Sequence, residues 1–282
     1  MHLFLNYTPL RLASSRNNID IVHLLLSQKG IEIGDSSLKR CEKLTKIHIL
    51  SNVSEIGKNA LEGCSSLKRV TIDTPSSLQT IKEYAFSECF SLTKIKIPSS
   101  VKEIGQFAFS GCSSLEEIIF ESDSQIEIIK NDAFKECSSL KKMKIPSSVA
   151  TIESNAFDSC SSLEQVAFDI PSSLKIIDEK VFCGCSSLTQ ISIPSSVERI
   201  DSYAFEDCSS LLEITIPSSV SFIGSLIFMN CSSIEKVSIL PKTISSGYDL
   251  FKGCSSLKQI IIPYSISELS IGNDYQGEIK RI

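Results

Sequence analysis

One short signature recurs along most of this 282-residue chain. A cysteine, usually in the context Cys-Ser-Ser-Leu, returns at Cys41, Cys64, Cys89, Cys112, Cys137, Cys160, Cys185, Cys208, Cys231 and Cys254, always 23 or 25 residues after the last. A unit that short has too little apolar surface to fold alone, so it must bury its hydrophobic side against neighbouring copies. The expected architecture is a repeat solenoid, which offers a long exposed surface for binding.

The stretch from Cys89 to Gly111 shows how one turn is written. Its apolar residues, Cys89, Leu92, Ile95, Ile97, Val101, Ile104, Ala108 and Phe109, form the expected inward set. The Ile95-x-Ile97 alternation has the period of a strand with one buried face, and stacked copies predict a parallel sheet. Proline follows at Pro98, Pro146, Pro194, Pro217 and Pro263. Without an amide donor it should end each strand at one level, where Ser-Ser turns the chain. A second extended piece, 101–104, predicts another parallel stripe on the opposite side. The Ala-Phe pairs that follow, such as Ala85-Phe86 and Ala156-Phe157, with Val181-Phe182, Ile227-Phe228 and Leu250-Phe251 as variants, predict a spine of stacked phenylalanines. Gly63, Gly111, Gly184, Asp207, Asn230 and Gly253 before the cysteine suit a positive φ, a pattern that Glu88, Glu136 and Ser159 interrupt. Three units carry two extra residues, near Asp73-Thr74, Glu121-Ser122 and Asp169-Ile170, which predicts a small loop on every second turn.

The ordered set of Cys, Leu, Ile-x-Ile, Pro, Val, Ile-Gly and Ala-Phe resembles the BspA-like class of leucine-rich repeats, over about Cys41 to Leu269. Units near the ends depart from it, with Ala60-Leu61 in place of Ala-Phe and Leu50 and Leu240 in place of Pro. The resemblance implies a curved array of parallel strands and, for many members, recognition or adhesion at the cell surface; it implies no catalytic residue. The N-terminal Thr8-Pro9-Leu10-Arg11-Leu12-Ala13, followed by 21–26 and Gly30, resembles an ankyrin repeat, with Arg11 where that family has histidine. A single such repeat cannot bury its own faces, so it is expected either to cap the first unit or to end an array outside this chain. The cap is favoured because a solenoid end needs covering. The expected division is a helical ankyrin-like segment at 1–34, the solenoid at 35–270 and a C-terminal tail at 271–282.

No apolar run approaches the roughly 18 residues that suggest a membrane span. The first residues lack the basic and apolar regions of a signal peptide, so the sequence favours an intracellular location where the family resemblance favours the surface. A net charge of −5 gives no general attraction for nucleic acid, and the absence of tryptophan argues against a base-stacking platform. Parallel stacking leaves equivalent Cβ atoms near the strand spacing of about 4.8 Å, beyond the roughly 3.5–4.5 Å of a disulfide. The ten repeated cysteines are therefore expected as buried, reduced, inert thiols. Cys183 breaks the pattern and should face solvent, where drift at a tolerant site stands beside a redox or modification role. His2, His23 and His48 show no metal spacing, phosphate-binding and nucleophile-elbow motifs are missing, and the sequons at Asn6, Asn52 and Asn230 carry little weight among so many serines. No catalytic residue, metal or cofactor is expected.

The candidate site lies on the first strand of each turn. Outward positions in the first five units hold six cations, Lys46, Arg69, Lys94, Lys96, Lys142 and Lys144, against the single acid Glu117; the next five units hold Lys236 and Glu213. Clustered cations would steer an acidic ligand, although an ordinary solvated face accounts for the same residues. The expectation is a non-enzymatic recognition or adhesion protein that binds a protein or glycan on this face. An intracellular ankyrin and leucine-rich scaffold or adaptor is the alternative.

Overall fold

The computed structural model describes residues 9–16, 18–26, 33–266, 271, 275 and 277–282. His2, the Asn6 sequon, Gly30 and the side chain of His23 lie outside what is described. The described chain is a parallel-strand solenoid of about ten turns with two short helices at its start.

Each turn has three sides. The Ile-x-Ile strands form the first, in three hydrogen-bonded segments: Lys46–Ile49 with Arg69–Ile72, then Lys94–Ile97 through Gln190–Ile191, then Glu213–Ile216 through Glu278–Arg281. Pairing is parallel and in repeat register, so that Ile47 meets Val70, Ile95 meets Ile118 and Ile214 meets Val237. The second side is a nine-stranded ladder of two-residue strands, from Glu55–Ile56 to Ser245–Ser246, which an Ile33–Ile56 bridge extends toward the N-terminus.

The third side is the Ala-Phe turn, itself a hydrogen-bonded stack: Leu61 N–H donates to Ala85 O at 2.8 Å, Phe86 N–H to Ala108 O at 2.7 Å, and Phe109 N–H to Ala133 O at 2.8 Å. Two left-handed residues bend it. One precedes the cysteine as expected, and Glu88, Glu136 and Ser159 adopt it too, at φ of 58°, 60° and 61°. The other precedes the Ala-Phe pair at residues such as Tyr84, Phe107 and Tyr203, with φ of 55°, 54° and 60°. Positive φ is unfavourable for such side chains, and the inter-turn hydrogen bonds hold the backbone there.

Eight phenylalanines, Phe86, Phe109, Phe134, Phe157, Phe182, Phe205, Phe228 and Phe251, stack with centroids 5.1–5.7 Å apart. Beside them runs the cysteine column. Each thiol from Cys64 to Cys254 donates to a backbone carbonyl of the preceding turn, as Cys112 Sγ does to Phe86 O at 3.1 Å and Cys185 Sγ to Phe157 O at 3.3 Å. The same Phe86 carbonyl accepts the Cys89 N–H at 3.3 Å. The residue is thus a small apolar plug that also carries a weak donor, a pairing that alanine or valine lacks.

At the N-terminus α1 (Pro9–Ser15) and α2 (Ile19–Leu26) pack against each other, and α2 lies against the first strand. Leu10, Ala13 and Val22 are buried in the same continuous core as the solenoid, so the pair covers its first turn. At the other end, within the segment expected as a tail, Glu278–Arg281 adds a parallel strand to Gln259–Ile262.

Two kinds of turn alternate through the first six units. In the shorter kind a backbone turn leads from the strand, with Val101 N–H donating to Pro98 O and Val149 N–H to Pro146 O, both at 3.2 Å. In the longer kind a serine hydroxyl takes that role: Ser76, Ser124 and Ser172 accept from the N–H of Leu78, Ile126 and Leu174 at 3.1, 3.4 and 3.2 Å. The result is a super-repeat of two turns and 48 residues, with a protruding loop on every second turn.

Candidate functional site

Period-two alternation sends Ile47, Ile95 and Met143 into the core and leaves their flanking residues on the surface. In-register stacking then sorts the outward residues into two straight rows across the turns. The first row runs Lys46, Arg69, Lys94, Glu117, Lys142, Gln165, Gln190, Glu213, Lys236 and Gln259; the second starts at His48 and runs through Lys96, Lys144, Ala167 and Ser192. The structure therefore brings all six sequence-selected cations onto one face.

It does not leave them all free. Lys94 pairs with Glu117 at 2.7 Å, Lys96 with Glu121 at 2.7 Å and Lys144 with Asp169 at 2.8 Å. Among the described residues, Lys46, Arg69 and Lys142 form no ion pair. Three of the six cations of the expected basic half-face are thus ion-paired and three are not; the sum over strand positions counts Glu117 but omits Glu121 and Asp169, which lie on the long loops one turn away. His48, Lys96 and Lys144 are 48 residues apart, and so are Asp73, Glu121 and Asp169, which meet them in turn. That shared period is the signal that would have found these acids. Glu121 is the best held: besides Lys96, it accepts from the Ser99 N–H at 3.1 Å and the Thr74 hydroxyl at 3.2 Å. Its pKa is lowered, first through the hydrogen bond from Lys96 and then through Ser99 and Thr74, against the opposing effect of burial.

The protruding loops wall two adjoining troughs of about 660 Å³ each on the middle of the face. Lys142, Lys144, Gln165 and Ala167 line one, and Gln190, Ser192 and Pro194 the other; Gln165, Ala167 and Ile170 belong to both. Ile170, at the tip of a long loop, is 94% exposed. Cys183 is half-buried, and its thiol lies 3.5 Å from Glu206. Burial, with Asp158 and Glu206 nearby, pushes that thiol up to about 12, away from the thiolate a reactive cysteine needs. Among the described residues no group of three or more His, Cys, Asp or Glu is placed to hold a metal ion, and no helix is long and apolar enough to cross a membrane.

Comparison with known proteins agrees with this geometry. Residues 31–164 and 164–274 match the BspA type leucine rich repeat region, in six copies. A leucine-rich repeat protein from Bacteroides ovatus is 28% identical, over 89% of this chain and 87% of that one, with a TM-score of 0.42. The T. pallidum leucine rich repeat protein is 26% identical over 76% of this chain and 78% of its own, with a TM-score of 0.48. A leucine rich cell surface protein from Faecalibacterium prausnitzii is 24% identical over 81% and 82% of the two chains, with a TM-score of 0.42. No curated protein matches the chain. The family match begins at residue 31, so the two N-terminal helices fall outside it and their ankyrin likeness gains no support. The chain belongs to the BspA-type leucine-rich repeat family.

Proposed function

We propose that this is a non-enzymatic recognition protein that holds a partner protein against the exposed strand face. The observation that carries the reading is the pair of troughs between the long loops, with Gln165, Ala167, Gln190 and Ser192 on their lining and Ile170 standing exposed between them. The in-register ladder beneath fixes these side chains before any partner arrives, which lowers the ordering cost of association. Small residues at 167 and 192 leave room for a partner's side chains, and an exposed Ile170 offers an apolar anchor of the kind that concentrates binding energy. Where such a partner is displayed on another surface, the recognition is adhesive.

The reading is tested by placing a photo-crosslinking amino acid at Ala167, on the strand face, or at Glu179, on the far edge of the same turn. Covalent adducts with a partner protein are expected from position 167 and not from 179. Equal adducts from both, or adducts from 179 alone, would reject the strand face as the binding surface.

A further inference from the structure

At the N-terminal end of the face His48 still meets Asp73 at 3.0 Å, but the lysines and the arginine there have no such partner among the described residues. In the middle turns, the residue before each strand and the first outward residue share one shallow surface, made by Thr93, Lys94, Glu116, Glu117, Lys141 and Lys142. Carboxylates meet cations there, with Lys94 to Glu117 at 2.7 Å and Lys141 to Glu116 at 3.8 Å. The same positions in the first two units are Thr45, Lys46, Lys68 and Arg69, all exposed. Lys46 stands opposite Arg69 in the parallel register. Among the described residues none of these three cations forms an ion pair. The nearby Glu42 and Lys43, also exposed, cancel in charge.

Like charges directly opposite on adjacent strands destabilise a sheet, and among the described residues no acid forms an ion pair with them, although the face supplies one to Lys94, Lys96 and Lys144. We propose that Lys46, Lys68 and Arg69 form a binding site for a short acidic segment of a polypeptide. The inference rests on reading the strand face as the recognition surface and names the chemistry it takes at one end. Arg69 presents a planar fork that matches a carboxylate bidentately, and the two lysines add point charges beside it. The patch spans only two strands. A long uniform polyanion, such as a sulfated glycan or a nucleic acid, would run past it onto Asp73, Glu117 and Glu121, and the chain as a whole carries −5. Those carboxylates disfavour a continuous polyanion, whereas a short acidic run with neutral flanks meets only the cations.

The test uses the full chain and a fluorescent peptide with six consecutive glutamates between Gly-Ser flanks, read by anisotropy. Lys46→Ser/Arg69→Ser should weaken binding about ten-fold or more, equivalent to about 1.4 kcal/mol, while Lys94→Ser/Lys96→Ser leaves it within about two-fold. Raising salt from about 20 to 200 mM should weaken the wild type, because these charges are exposed. Circular dichroism is the check that both variants keep the wild-type fold. Equal losses in the two variants, no peptide binding by the wild type, or tighter binding of a heparin-like polysaccharide through the same residues would overturn the acidic-peptide site. Should it fail while crosslinking from position 167 persists, the strand-face reading survives; loss of both removes the face itself.

Discussion

Phe157 lies between Phe134 and Phe182, with ring centroids at 5.3 and 5.6 Å and no exposed surface. Truncating it removes contacts with both neighbouring turns and leaves a hole that a repeating backbone cannot close by local collapse. Phe157→Ala is expected to cost about 3–5 kcal/mol in urea unfolding, and a near-neutral result would contradict the stacked spine. This spine was readable in the sequence because Ala-Phe recurs at one place in the unit and nothing else explains a repeated aromatic there. The second left-handed residue was only partly readable. Asn59, Asp132, Asn155 and Asp249 are of the types that favour positive φ, whereas Tyr84, Phe107, Lys180, Tyr203 and Leu226 give no hint of it and are held there by hydrogen bonds to the next turn. The thiol's donor role was hidden for a related reason: a buried cysteine that only fills space leaves the same pattern. Cys183 shows the limit of reading exposure by analogy, because Glu206 and the turn around it half-cover a residue whose equivalents are mostly charged.

The long loop is the element that separates this solenoid from a uniform one. Glu121 joins the Lys96 ammonium, the Ser99 amide and the Thr74 hydroxyl, so one carboxylate ties together three successive turns. Glu121→Gln keeps the size of the side chain and removes the charge that these donors share. A loss of about 1.5–3 kcal/mol is the usual scale for a hydrogen bond to a charged group, and partial solvent screening of Lys96 places this case at the lower end. Hydrogen exchange should show faster exchange at the Ser99 amide, with amides of the phenylalanine stack unchanged; uniform acceleration everywhere would mean that the loop is not a separate unit of stability. The two-residue insertions were visible in the sequence as breaks in the cysteine spacing. Their chemical consequence was not, because the acid and the cation it neutralises sit in adjacent units and only the 48-residue period relates them. For that reason Lys96 and Lys144 read as free cations in the sequence and are paired in the fold; Lys94 pairs instead with Glu117 on the neighbouring strand, whereas among the described residues Lys46 and Arg69 remain unpaired.

Over the whole molecule, the cysteine column makes stability depend on pH in a way no single turn reveals. Burial raises the thiols of Cys64, Cys112 and Cys254 to about 12, and it raises Cys89, Cys137, Cys160, Cys185, Cys208 and Cys231 as well. In the unfolded chain these groups return to about 8.5. Below that value both states hold the proton, and the thiols contribute no pH dependence. Above it the unfolded chain releases protons that the folded chain retains, so stability falls as pH rises, until the folded thiols themselves titrate near 12. Each buried thiol contributes about 1.4 kcal/mol per pH unit in that window, and the column adds these slopes together. Urea unfolding under reducing conditions between about pH 8.5 and 10, below the usual range of lysine and tyrosine, should therefore show a steep decline. Cys112→Ala removes one member, so its stability should decline less steeply by about 1.4 kcal/mol per pH unit, whatever its absolute stability. A parallel decline in the two proteins would mean that Cys112 is not held protonated in the folded state. The donor geometry gives the physical reason to expect the difference, because only a protonated thiol can donate to the Phe86 carbonyl.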